Sequence, residues 1–199
     1  MIAVIDVTGN NLTSLVNAIH QLGFDCVLTH SHEDIIKASH VILPGVGAAP
    51  IAMQALQDHK LVELIQQLRQ PLLGICLGMQ LLFEHSEEGD VKGLGLINGN
   101  VQALSSTTGF PVPHMGWNRL NWCQNSLLQN GLGAADYVYF VHGFAVTVGE
   151  HTVASCQYSG EFSAIVQKNN IYGMQFHPEK SAETGLKLLN NFLKLEGVC

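Results

Sequence analysis

Two short stretches of this 199-residue chain carry residue types that could do covalent chemistry. The first is Gly74-Ile75-Cys76-Leu77-Gly78, a cysteine form of the Gly-x-Ser-x-Gly turn that lifts a nucleophile off the end of a strand. Pro71-Leu72-Leu73 ahead of it suits a buried strand, and Met79, Leu81, Leu82 and Phe83 behind it suit a helix packed back on the sheet. So sharp a turn needs small residues on both sides, because a side chain would strike the neighbouring backbone. A sulfur held there lies near a helix N-terminus, where unpaired N–H groups and the helix dipole favour negative charge. The N–H of Leu77 can face an oxyanion formed on a substrate carbonyl. The pentapeptide alone fits equally well a small cysteine buried after a strand. The second stretch is His177-Pro178-Glu179. A thiol nucleophile needs a base, and the base needs something to hold it. Alternate residues of an extended chain lie on one side, so Glu179 can accept from the His177 ring and fix its tautomer. The chain has ten histidines, most of which need no catalytic explanation; His177 stands out by its strand-end setting beside a carboxylate.

Such groups must be positioned by a scaffold, and the hydrophobic pattern supplies one. Residues 2–5, 24–28, 40–43 and the run before Cys76 read as strands. Between them, Leu12, Leu15, Val16, Ile19 and Leu22 recur at helical spacing, closed by Gly23. Residues 34–38 suit a short helix, with Ser31 or His32 near its start, and residues 50–69 suit a longer one. Strict strand–helix alternation predicts an α/β fold with a mostly parallel open sheet flanked by helices. Beyond Gly89 the style changes to loops and short strands. Residues 137–141, 145–148, 152–157 and 162–167 predict an antiparallel extension, followed by a strand over 171–176 and a closing helix over 182–195. Without repeats or linkers, residues 1–199 are expected to form a single domain.

Open parallel sheets bind ligands at the carboxyl ends of their strands. Residues 6–11, 44–47 and 74–78 fall there. In Pro44-Gly45-Val46-Gly47 the glycines permit an N–H to point into a cleft, as a second oxyanion donor, or simply make a tight turn. Trp117 and Tyr139 sit in segments that mix aromatic and polar residues near turns, and sequence alone does not separate core from interface.

Composition narrows the function classes. Net charge is −7, the only arginines are Arg69 and Arg119, and no basic cluster exists to track a phosphate backbone, so nucleic acid is not an expected partner. A charged fraction of 13% against about 25% in typical soluble chains leaves apolar surface for a protein partner to cover. The five cysteines are odd in number and scattered without a C-x-x-C pair, which predicts neither a disulfide framework nor a metal knuckle. With no signal-peptide start and no run near the roughly 18 residues of a membrane span, the expected location is cytoplasmic, away from membranes.

Taken together, Gly74 to Gln80 with His177-Pro178-Glu179 resembles the class I, triad-type glutamine amidotransferases. Pro113-His114-Met115-Gly116-Trp117-Asn118 and Tyr139-Phe140-Val141-His142 sharpen the resemblance to the glutaminase subunits of imidazole glycerol phosphate synthase, of histidine biosynthesis. The resemblance implies that Cys76 attacks the L-glutamine side-chain amide and that His177, oriented by Glu179, serves as acid and then base. It implies an oxyanion hole of Leu77 with Val46 or Gly47, and glutamine contacts at Gln80, Gly45, Gly143 and Phe144. It implies no cofactor and no metal. Ammonia would pass to a (β/α)8-barrel cyclase in a heterodimer that yields imidazole glycerol phosphate and AICAR, with Asn11, Trp117, Tyr139 and Lys180 at the contact. Two departures stand out. The family's Asp-Tyr-Gly-x-Gly-Asn is here Asp6-Val7-Thr8-Gly9-Asn10-Asn11, and its Ser or Thr then Tyr after the histidine is here Gly143-Phe144. They leave room for a second reading, a paralogous glutaminase that feeds a different synthase.

Overall fold

The computed structural model describes residues 1–6, 12–45, 47–133 and 136–196. Its first half runs β1 (Ile2–Ile5), α1 (Thr13–Gln21), β2 (Cys26–Thr29), α2 (His32–Lys37), β3 (His40–Leu43), α3 (Ala49–Asp58), α4 (Leu61–Gln66), β4 (Leu72–Ile75) and α5 (Leu77–Leu81). The predicted alternation is present, with two adjustments. Ser31 caps α2 by accepting from the Asp34 N–H at 3.4 Å. The helix expected over residues 50–69 is two helices, because Lys60 takes a left-handed φ of +56° that no α-helix accommodates.

The second half adds β5 (His85–Ser86), β6 (Val91–Lys92), β7 (Asn100–Ala103), β8 (His114–Arg119), β9 (Asn121–Trp122), β10 (Tyr137–His142), β11 (Phe144–Val146), β12 (Thr152–Gln157), β13 (Glu161–Lys168), β14 (Ile171–Met174) and α6 (Ala182–Leu193). The main sheet has the order β2-β1-β3-β4-β14-β13-β12-β9. Strands β2 to β14 in that order pair in parallel, and β13, β12 and β9 extend the sheet antiparallel. A four-stranded sheet, β11-β7-β5-β6, and a two-stranded ribbon, β8 with β10, complete the fold.

The period-two alternation of the central strands divides the core into two layers. Ile2, Val4, Ile42, Leu73 and Ile75 face α1 and α6, whereas Ala3, Ile5, Val41, Leu43 and Leu72 face the layer containing α2 to α5. Strands buried on both faces read as continuous apolar runs, which is why β1, β3 and β4 were recognisable. Among the described residues, no helix is long and apolar enough to cross a membrane.

Candidate active site

The sharpest feature of the fold is the turn from β4 into α5. Cys76 sits at φ +53°, ψ −113°, a backbone conformation that a side-chain-bearing residue adopts only when its surroundings enforce it. Enforcement comes from contact. A Cβ on Gly78 would lie 1.8 Å from the Leu43 carbonyl oxygen, one on Gly74 would lie 2.6 Å from the Gly78 carbonyl oxygen, and one on Gly45 would lie 2.5 Å from the Gly78 nitrogen. The elbow is wedged against the end of β3 with no room for a side chain at Gly74 or Gly78. The Cys76 N–H donates to the Met174 carbonyl at 2.7 Å, tying the turn to β14. Helix α5 has only five residues, so the dipole it offers the sulfur is that of little more than one turn.

His177 follows the end of β14. Its N–H donates to the Tyr139 carbonyl of β10 at 3.1 Å, and its Nδ1 lies 2.9 Å from Glu179 Oε1. A carboxylate oxygen accepts, so Nδ1 carries the proton and Nε2 is left for the sulfur. Both side chains are under one-tenth exposed. Burial alone would pull the His177 pKa down. Hydrogen bonds to Cys76 and Glu179, with the negative charge of both, outweigh it and raise the value to about 9. Three residues spaced across a hundred positions thus meet as sulfur, imidazole and carboxylate. Beside them opens a cleft of about 290 Å³, lined in part by Ser14, Pro44, Gly45, His177, Glu179 and Lys180.

The other expected site residues fall as follows. Leu77 opens α5, where an N–H has no intrahelical carbonyl to donate to. Gly47 has φ +110° and lies exposed in the turn beyond Gly45. Val46 and Asn11 lie outside the described residues. Gln80 is buried, and its Nε2 donates to the Phe144 carbonyl at 2.9 Å and to Gln175 Oε1 at 3.0 Å. Phe144 therefore bears on the site through its main-chain oxygen. The Gly143 carbonyl accepts from the Leu104 N–H at 2.9 Å, which gives it a part in holding the connection between β10 and β11. Trp117 and Tyr139 are directly paired across the β8–β10 ribbon, edge to face at 5.9 Å between ring centres. Trp117 is 53% exposed on the same face as Met115 and Tyr137.

Sequence reasoning gave no role to Gln175. Its side chain is fully buried, with Nε2 3.9 Å from the Cys76 sulfur. A polar residue flanked by Met174 and Phe176 in a buried run was the available signal, since such a group must have a partner.

Comparison with known proteins gives the family and the fold. A family profile described as "Glutamine amidotransferase class-I" matches residues 3–195. The Legionella pneumophila (strain Paris) protein named "Imidazole glycerol phosphate synthase subunit HisH 2" is 60% identical over 199 residues, covering all of both chains. The Xanthomonas axonopodis pv. citri protein named "Imidazole glycerol phosphate synthase subunit HisH" is 50% identical over 194 residues, covering 98% of this chain and 97% of its own. In fold, a crystal structure described as a glutamine amidotransferase superposes with a TM-score of 0.75 over 97% of each chain, at 17% identity.

Proposed function

We propose, for a chain that belongs to the class-I glutamine amidotransferase family and within it to the HisH subunits of imidazole glycerol phosphate synthase, that it hydrolyses L-glutamine and delivers the ammonia to a cyclase partner. The observation that carries the proposal is the setting of the His177 imidazole between the Glu179 carboxylate, 2.9 Å away, and the Cys76 sulfur, which together push its pKa up to about 9. In this mechanism the Cys76 sulfur attacks the carboxamide carbon of glutamine. The carbonyl electron pair moves to oxygen, where the N–H of Leu77 and that of Val46 or Gly47 stabilise it. Collapse expels ammonia as His177 donates its proton, leaving a γ-glutamyl thioester. His177, now neutral, takes a proton from water, the hydroxide oxygen adds to the thioester, and glutamate departs as sulfur is regenerated. Glu179 keeps the imidazole in one tautomer throughout. Gln80 and Gly45 contact the substrate, with Gly143 and Phe144 lining the region of its α-carboxylate.

The chain works as one amidotransferase domain in the cytoplasm, in a heterodimer with a (β/α)8 cyclase, and needs neither cofactor nor metal. Trp117, Tyr139, Lys180 and Asn11 form the docking face, a reading supported by the exposed aromatic patch beside the triad segment. Full-length identity of 60% and 50% to HisH proteins does not favour a different synthase as recipient. Glutamate release measured with and without the cognate cyclase tests the proposal. Addition of the cyclase is expected to raise it, and Cys76→Ala to remove it. Turnover that survives Cys76→Ala would overturn the assignment of the nucleophile.

A further inference from the structure

The inner face of the β8–β10 ribbon carries two buried histidines that the mechanism above does not use. His114 and His142 are cross-strand partners, with His114 Nδ1 3.1 Å from His142 Nε2. Each end of this pair is anchored to a group of fixed polarity. At one end His142 Nδ1 lies 2.8 Å from the Phe144 carbonyl oxygen, which can only accept. Nδ1 therefore bears hydrogen, and in the neutral ring Nε2 must accept from His114 Nδ1–H. His114 Nε2 is then an acceptor as well. At the other end Asn118 Oδ1 accepts from the Arg119 N–H at 2.8 Å, and Asn118 Nδ2 donates to the Gln157 carbonyl at 2.9 Å. These contacts turn Nδ2 toward His114 Nε2, 3.5 Å away, as a donor. The two ends, reasoned independently, demand the same tautomer of both rings.

The sequence of bonds runs on into the site. The Phe144 carbonyl that accepts from His142 also accepts from Gln80 Nε2, and the second hydrogen of that nitrogen goes to Gln175 Oε1. Gln175 Nε2 in turn approaches the Cys76 sulfur. Both hydrogens of the Gln80 amide nitrogen are committed, so the amide has only its Oε1 left to offer a ligand. We infer that His114 and His142 are positioning residues, forming a chain of hydrogen bonds that starts at Asn118 beside Trp117, meets the Gln80 amide at the shared Phe144 carbonyl, and through that oxygen sets the orientation of the Gln80 and Gln175 amides around Cys76. This deepens and rests on the glutaminase reading. A charged ring would set N–H against N–H between the two histidines, and a flipped His142 would set a lone pair against the Phe144 oxygen; either would displace the carbonyl to which the Gln80 amide is anchored. Burial suits both rings to the task, pushing each pKa down to about 4, so both stay neutral at the pH of the cytoplasm.

Two measurements on the full chain test this hydrogen-bond network. In nitrogen-15 spectra of the imidazoles at neutral pH, both rings are expected to carry hydrogen on Nδ1, although a free neutral imidazole prefers Nε2. An Nε2–H tautomer or a doubly protonated ring at either position would overturn the proposal, whatever the enzyme's activity. Kinetics with the cyclase present give the second measurement. His114 stacks between Phe140 and Tyr158, at 4.8 and 3.9 Å between ring centres, so His114→Phe keeps the packing while deleting the bonds. His114→Phe and His142→Phe are each expected to raise the KM for glutamine about tenfold, with a smaller change in kcat. His142→Asn, which restores a donor near the Nδ1 position, is expected to recover most of that loss. Folded Phe variants with KM and kcat within about twofold of the parent would overturn the proposal. A wild-type chain inactive even with cyclase would strike instead at the glutaminase reading, and the ring signals would still decide the network.

Discussion

His142 lies close enough to His177 to feel its charge, and the two pKa values move apart, to about 9 for His177 and about 4 for His142. Both rings are buried. His177 has a carboxylate on Nδ1 and a sulfur on its other side, so burial strengthens an attraction that keeps it charged. For His142 burial is the largest influence and lowers the value; the Phe144 carbonyl on Nδ1 favours the charged form but does not offset it, and the neighbouring His114 and His177 lower it further. Burial therefore does not decide the protonation state of an imidazole by itself. A full negative charge beside the ring overturns burial and a neutral carbonyl does not, so here one region becomes proton-bearing machinery and its neighbour a neutral support.

The largest expected effect erases the contrast. Glu179→Gln removes the charge that holds His177 apart from His142, and glutamine turnover should fall by about 10²–10⁴ with the His177 pKa moving downward, measurable by histidine chemical shifts across pH. A retained value near 9 would mean that the sulfur alone holds the proton in place. Next in size is a test of the ribbon's two faces. Phe140→Ala, on the inner face with His142, should cost about 3–5 kcal/mol of stability in denaturant unfolding. The two histidine regions should also give opposite limbs to a plot of melting temperature against pH. His177 binds its proton more tightly folded than unfolded, so its contribution is complete below about pH 6.5 and is lost as pH rises through about 9. His114 and His142 resist protonation when folded, so their contribution is complete above about pH 6.5 and declines as pH falls toward 4. His142→Phe should flatten the acid limb and leave the alkaline one. The smallest effect belongs to the outer face: Trp117→Ala should change the stability of the free chain by no more than about 0.5 kcal/mol, because that ring is exposed on this chain.

Much of this was legible in the sequence, and the exceptions have physical causes. The elbow could be read because Gly74 and Gly78 are demanded by backbone contact. The parallel strands could be read because burial on both faces leaves an unbroken apolar run. Strand β8 was not predicted as a strand. Its buried side is built of His114, Gly116 and Asn118 while Met115 and Trp117 face outward, so the usual alternation is inverted and polarity points the wrong way. The break at Lys60 was hidden because apolar residues continue at helical spacing on both sides of one left-handed residue. Gln175 escaped notice because its partners, Gln80 and Cys76, come from a different strand–helix unit nearly a hundred positions earlier.

The main-chain bonds described for Cys76 and His177 have a mechanical corollary. The sulfur rides on the central sheet through Met174, the imidazole is clasped by β10 through the Tyr139 carbonyl, and the Tyr139 N–H is fastened to the Ser181 hydroxyl at 2.9 Å. Nucleophile and base thus share the same two supports, since His177 continues the chain from β14 and the Cys76 sulfur lies 3.9 Å from the Val141 carbonyl of β10. Strand β10 therefore touches both reacting groups from one side, the imidazole through the Tyr139 carbonyl and the sulfur through that of Val141.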